Sequence, residues 1–103
     1  MQIVWSRTAQ ADLNAIFEYL FPKNASAAIE TIGHIYDSAA HLADHPEIGR
    51  SGRVEQTREL IVPQTPYSVS YRIKAPQIQM PQIQILTVIH GRRKWPDSFQ
   101  TVD

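Results

Sequence analysis

The chain has 103 residues, 43% of them apolar, no cysteine, and ten basic against ten acidic side chains. That is enough chain for one core and too little for a second domain; the missing thiols exclude a disulfide framework, a thiolate metal site and a cysteine nucleophile, and a neutral total argues against indiscriminate coating of nucleic acid. No stretch approaches the roughly 20 apolar residues of a membrane span, and the start MQIVWSRTAQ has no charged leader, so the chain is expected in the cytoplasm and off the membrane.

Gln2–Trp5 is short, β-branched and aromatic, the composition of a strand. Ser6 or Thr8 then offers a helix cap, with Asp12 near the positive end of the helix dipole. Ala9, Leu13, Ile16, Phe17 and Leu20 form an apolar stripe of helical period that ends at Pro22. Asn24 or Ser26 can cap a second helix, whose stripe runs through Ala25, Ala28, Ile32, Ile35, Ala39 and Leu42 to the stop at Asp44-His45-Pro46. The two helices, joined by a short link, predict an antiparallel hairpin.

After Pro46 the character changes. Residues 46–56 have loop composition, Arg58–Val62 reads as a strand and residues 63–66 as a turn. Tyr67–Ile73 alternates, placing Tyr67, Val69, Tyr71 and Ile73 on a buried face and Ser68, Ser70 and Arg72 on a polar one. Gln82–His90 is apolar on both faces, with Ile83, Ile85 and Ile89 opposed to Leu86 and Val88, and so reads as central. Between these strands PQIQM (76–80) is followed at once by PQIQI (81–85), a five-residue duplication. An odd period reverses the inward face between copies. The second copy is therefore expected to be strand and the first a hairpin loop, which also keeps Pro76 and Pro81 out of a central ladder. The order β-α-α-β-β-β predicts an α+β domain over residues 1–103, an antiparallel sheet packed by an N-terminal helical hairpin.

The neutral total conceals a split. Residues 1–48 carry two bases against six acids, and residues 49–103 eight bases against four. The bases cluster as Arg50, Arg53 and Arg58 in GRSGRVEQTREL and as Arg92, Arg93 and Lys94 in HGRRKWP. Such clustering raises the local potential whatever the net charge, and guanidiniums bind phosphate or carboxylate bidentately. Arg72 and His90, on neighbouring strands, are candidates to join that surface, His90 as a proton-transfer group because its pKa lies near neutrality. Against this, Arg58 beside Glu59 suits a cross-strand ion pair, and basic turns are often only solvated. His34, Asp37, His41 and His45 share helical spacings but match no ligand motif of defined geometry, so no metal is expected. Ser68 and Ser70 have no base beside them to make a hydrolase triad. Trp5 reads as a packing anchor.

Three segments, VWSRTAQADLNAIFEYL (4–20), HPEIGRSGRVEQTRELIVPQTPYSVSYRI (45–73) and ILTVIHGRRKWP (85–96), make the chain resemble the ParE/RelE family of toxins from type II toxin–antitoxin modules. The resemblance implies the βααβββ fold, no cofactor, and a small ParD-like antitoxin that wraps and neutralises the toxin as a hetero-oligomer. RelE-like members cut mRNA on the ribosome without a metal; ParE-like members poison DNA gyrase with no chemistry of their own. Where RelE-like nucleases carry lysines before the Pro-containing turn, this chain has Glu59 and Ile61. Tyr67 is followed by Ser68 rather than arginine, and Phe99 stands near the position of the catalytic tyrosine. Arg93 matches the basic residue after the last strand. The resemblance thus favours the ParE branch, with Arg50, Arg53, Arg58, Arg92, Arg93, Lys94 and Trp95 as a gyrase-docking face and plasmid stabilisation as the outcome. The alternative is a ribosome-dependent endonuclease using His90 on protons and Arg72 and Arg93 on phosphate.

Overall fold

The computed structural model describes residues 1–75 and 80–91. The chain runs β1 (Gln2–Trp5), α1 (Arg7–Leu20), α2 (Ala25–His41), β2 (Arg50–Ser51), β3 (Arg58–Ile61), β4 (Tyr67–Lys74) and β5 (Gln82–His90). The five strands form one sheet in the order β1-β5-β4-β3-β2. Pairing is antiparallel from β2 through β5, as expected. β1 lies parallel to β5, with Gln2 opposite Gln82 and Trp5 opposite Ile85, so the sheet is mixed. The parallel edge follows from the connection, because the helical hairpin carries the chain over the sheet between β1 and the strands that follow.

Ser6 makes the transition from strand to helix. Its N–H donates to the Ile85 carbonyl (3.0 Å) and its hydroxyl to the Leu86 carbonyl (2.9 Å), while its Oγ accepts from the Ala9 N–H (3.0 Å) and caps α1. Asn24 caps α2 by accepting from the Ala27 N–H at 3.0 Å. Of the two expected stripes, Ala9 and Leu13 on α1 and Ile35, Ala39 and Leu42 on α2 are buried in one core with Val69, Tyr71, Ile83, Ile85 and Val88 of the sheet, and Ala28 is buried as well. Ala25 is exposed, one residue past the cap and beyond the reach of the sheet. Ile16, Phe17 and Leu20 are only half-buried, so the apolar stripe of α1 runs off the core towards its C-terminus. Trp5 packs on Tyr36 with ring centroids 5.1 Å apart, the anchoring role its sequence position suggested.

Three expectations are corrected. A two-residue strand, β2, lies inside the stretch 46–56 read as loop, held in register by Arg50 opposite Glu59. The polar face of β4 is not solvated along its length: Ser68 and Ser70 are buried and only Arg72 is exposed. β4 pairs on both sides, and the short serines sit between Ile61 and Ile89 and between Glu59 and Thr87, whose larger side chains shield them. On β5 the inward set is Ile83, Ile85 and Val88 rather than Ile83, Ile85 and Ile89. The register slips between Ser70 and Tyr71, with Ser70 opposite Thr87 but Tyr71 opposite Ile85. One extra residue on β5 reverses the alternation beyond it. The second duplicated copy enters β5 at Gln82 as expected, whereas the hairpin-loop role of the first falls on residues 76–79, outside the described residues.

Candidate functional site

Two surfaces carry unusual chemistry. The first lies where β1 stops short of the end of β5. Among the described residues no strand lies beside the outer edge of β5 beyond Trp5, and Asp12 of α1 takes that place: its Oδ2 accepts the Val88 N–H at 2.9 Å and the Thr87 hydroxyl. The sequence presented Asp12 as a complement to the helix dipole, yet it lies in the second turn and is committed to the sheet. The overlooked signal was its place on the stripe side of α1, three residues after Ala9 and four before Ile16. Past this contact α1 and β5 diverge around a groove of about 670 Å³ lined by Ile16, Tyr19, Leu20, Tyr67, Val88 and His90 among others. Tyr19 is 62% exposed there. Burial pushes the Tyr67 phenol pKa up, with Tyr19 adding to the shift.

The second surface is built by the segment between α2 and β3. Tyr71, wholly buried in the sheet, donates its hydroxyl to the Pro46 carbonyl (2.8 Å) and accepts the Gly49 N–H (2.9 Å). A Cβ on Gly49 would stand 2.6 Å from that hydroxyl, so this close approach needs glycine. Arg58 Nη1 donates to the carbonyls of Glu47 (3.1 Å) and Gly49 (2.8 Å), stitching the same turn to β3. The ion pair expected between Arg58 and Glu59 is absent from the described contacts because adjacent strand residues point to opposite faces. Glu59 instead turns to Arg50 (Oε1 to Nη2, 3.9 Å) and Arg53 (Oε2 to Nε, 3.4 Å), and its Oε2 also accepts the Arg53 backbone N–H at 3.2 Å. The carboxylate is 5% exposed. Burial lowers the Arg53 pKa, Glu59 raises it, and Arg50 lowers it. Arg50 and Arg53 border a cavity of about 380 Å³, together with Ile61, Tyr67, Ser68 and Gly91.

The other candidates are dispersed. His90 stands opposite Tyr67, ring edge to ring face at 5.2 Å, and shares its side of the sheet with the groove. Arg72 lies on the other face and donates through Nε to Gln84 at 2.7 Å. Arg72 lies five positions along β4 from Tyr67, about 17 Å at the usual strand rise. The structure therefore does not bring Arg72 and His90 together. Arg92, Arg93, Lys94, Trp95 and Phe99 lie outside the described residues. No helix among the described residues is long and apolar enough to cross a membrane.

The fold and both surfaces can be set beside known proteins. Residues 3–95 match the family described as the ParE toxin of the type II toxin–antitoxin system, parDE. This chain belongs to the ParE toxin family. Among curated proteins it is 34% identical over 95 residues to a proposed toxin of Sinorhizobium fredii, Y4kP, covering 92% of this chain and 93% of that one. It is 33% identical over 72 residues to toxin RelE2 of Caulobacter vibrioides, covering 70% of this chain and 80% of the relative. A solved structure described as the chromosomal ParDE toxin–antitoxin system from P. aeruginosa superposes with a TM-score of 0.75 at 27% identity, over 87% of this chain and 95% of that one. As a ParDE-type toxin, the chain has an antitoxin partner implied by its family.

Proposed function

We propose that this ParE-family toxin acts by binding DNA gyrase, trapping its cleaved-DNA intermediate and arresting replication and growth, with no bond-making chemistry of its own. A cognate ParD-like antitoxin neutralises it by occupying the groove between α1 and β5, and the module stabilises the replicon that carries it. The chain works in the cytoplasm, where gyrase and its DNA are found. The observation that carries this reading is the separation of His90 from Arg72, two of the three candidate catalytic residues, the third, Arg93, lying outside the described residues. A metal-independent nuclease needs a proton-transfer group and a phosphate-binding cation around one scissile bond; His90 and Arg72 occupy opposite faces of the sheet. At the positions where RelE-like nucleases place lysines, Glu59 is buried in an ion pair and Ile61 is exposed on the strand. The arginines of the β2–β3 side, with the basic run 92–94, are better suited to hold a macromolecule than to transform one.

The deciding assay combines the purified chain with gyrase, ATP and supercoiled plasmid. Linear DNA released after detergent and protease treatment is the expected product, unchanged by His90→Gln. Unaffected gyrase together with mRNA cleaved on translating ribosomes, lost in His90→Gln, would replace this reading with that of a ribosome-dependent endonuclease.

A further inference from the structure

The second copy of the duplicated motif, PQIQI (81–85), builds a polar face on the sheet. Alternation along β5 sends Ile83 and Ile85 into the core and leaves Gln82 and Gln84 on the opposite face. Pairing continues both into rows across three strands: Gln2, Gln82 and Lys74 in one, Val4, Gln84 and Arg72 in the next. Side chains link these rows. Gln84 donates through Nε2 to Gln82 Oε1 at 3.3 Å, and its own Oε1 accepts Arg72 Nε at 2.7 Å. Arg72 is exposed, and this bond through Nε leaves both of its Nη groups available to a bidentate acceptor. Lys74 is exposed two residues further on, about 7 Å along β4 at the usual strand rise. Among the described residues neither cation forms an ion pair.

We propose that Arg72 and Lys74 seat the phosphodiester backbone of a nucleic acid, and that Gln82 and Gln84 are positioning residues that hold the Arg72 guanidinium ready for a phosphate. A guanidinium already tied to its own sheet has less freedom to lose when it binds. The chemistry of the two rows favours a nucleic acid over an acidic protein. Their one aliphatic member, Val4, is half-buried, whereas protein partners anchor on exposed aromatic and aliphatic side chains. Cations interleaved with amides are the composition of a nucleic-acid interface. The amides of Gln2 and Gln82 are donors of the kind that meet phosphate and sugar oxygens. Nothing in the rows stacks on a base, so the contact is to the backbone and indifferent to sequence. That the nucleic acid is the DNA held by gyrase rests on the function proposed above.

The test uses the full chain and a fluorescein-labelled DNA duplex of mixed sequence, with anisotropy measured over a series of potassium chloride concentrations. Arg72→Gln is expected to reduce the slope of log K against log salt by about 0.9, the counterion release of one phosphate contact, and Lys74→Gln to do the same. Lys23→Gln, in the link between the helices, should leave the slope unchanged. Gln84→Leu keeps every charge and should keep the slope, yet bind about threefold more weakly because a loosened guanidinium has to be ordered on binding. A purely structural role for Gln84 would instead lower the melting temperature and leave the affinity of the folded chain intact. Absence of duplex binding at low salt, unchanged slopes in both cation variants, or full affinity in Gln84→Leu would each overturn the assignment. Displacement of the duplex by polyglutamate at a lower concentration of charge would overturn it in favour of an acidic protein. Tighter binding of single-stranded RNA with the same dependence on Arg72 would overturn the choice of DNA. No gyrase is present in these titrations. A chain that binds the duplex through Arg72 but spares gyrase loses only the proposed target, and one that poisons gyrase with no contribution from Arg72 loses only this inference.

Discussion

On the β2–β3 side of the sheet, polar groups are turned inward: Glu59 is buried under two arginines, Arg58 is tied to backbone carbonyls, and Tyr71 holds the turn at Pro46 and Gly49. On the α1–β5 side the Asp12 carboxylate meets the sheet, and past it the surface formed by the described residues is an apolar groove. The same α+β scaffold thus has one side organised by charge and another by exposed apolar area. Charge organised in this way builds structure first, because a buried ion has to be matched before it can serve anything else. Apolar area left open beside a short strand does little for the isolated chain and stands ready for a partner.

The sharpest way to break this contrast is to remove Glu59. Glu59→Ala takes the carboxylate from beneath Arg50 and Arg53 and leaves the Arg53 backbone N–H without its acceptor, a loss of about 3 kcal/mol by analogy with other buried pairs cut on one side. Urea denaturation followed by circular dichroism measures it. Glu59→Gln keeps an acceptor for that N–H and should lose less. A loss under about 1 kcal/mol in Glu59→Ala would show that the segment 46–57 is held by Tyr71 and Arg58 without the ion pair.

Asp12→Ala is the counterpart on the other side, and its effect should be smaller. One backbone and one hydroxyl donor lose their acceptor at a strand edge that water can reach, about 1–2 kcal/mol. Hydrogen exchange gives the more specific signature: the Val88 amide should exchange about tenfold faster, in step with that energy. Asp12→Asn retains an acceptor and should keep most of the protection. An unchanged Val88 amide in Asp12→Ala would mean that the edge needs no surrogate for β1.

How far these two sides were legible beforehand differs, for physical reasons. The helices, the two candidates for each cap (Ser6 or Thr8, Asn24 or Ser26, of which Ser6 and Asn24 serve) and the strand order after Pro46 follow from periodicity and local hydrogen bonding, which act within a few residues. β2 was missed because two residues carry no period, and its existence depends on Glu59 eight residues later. The inward set of β5 was misassigned because a bulge is decided by pairing between strands, and nothing in ILTVIH marks it. Charge was the least legible. Arg50, Arg53 and Arg58 look alike in sequence, yet one is exposed, one partly desolvated beside Glu59 and one bound to main-chain oxygens. Partner choice for a long side chain is a tertiary matter.

Tyr19 offers the finest test, because in it stability and function should separate. It lies on the last full turn of α1, 62% exposed, with its ring facing Lys23 (Nζ 4.0 Å from the centroid) and bordering the groove. Little of it is packed in the isolated chain, so Tyr19→Ser should change unfolding free energy by no more than about 0.5 kcal/mol, the ordinary range for surface substitutions. If an antitoxin fills this groove, the same ring becomes a buried aromatic at the centre of an interface, where truncation commonly costs about 2 kcal/mol or more of binding. Calorimetric titration with the antitoxin would then show at least about a tenfold weaker complex from a chain whose melting curve is unchanged. Arg50→Gln serves as the internal contrast, since it alters the charged side and leaves the groove intact. Should Tyr19→Ser bind the antitoxin as tightly as the parent chain, the apolar side would not be the neutralisation surface, and the charged side would have to carry both partners.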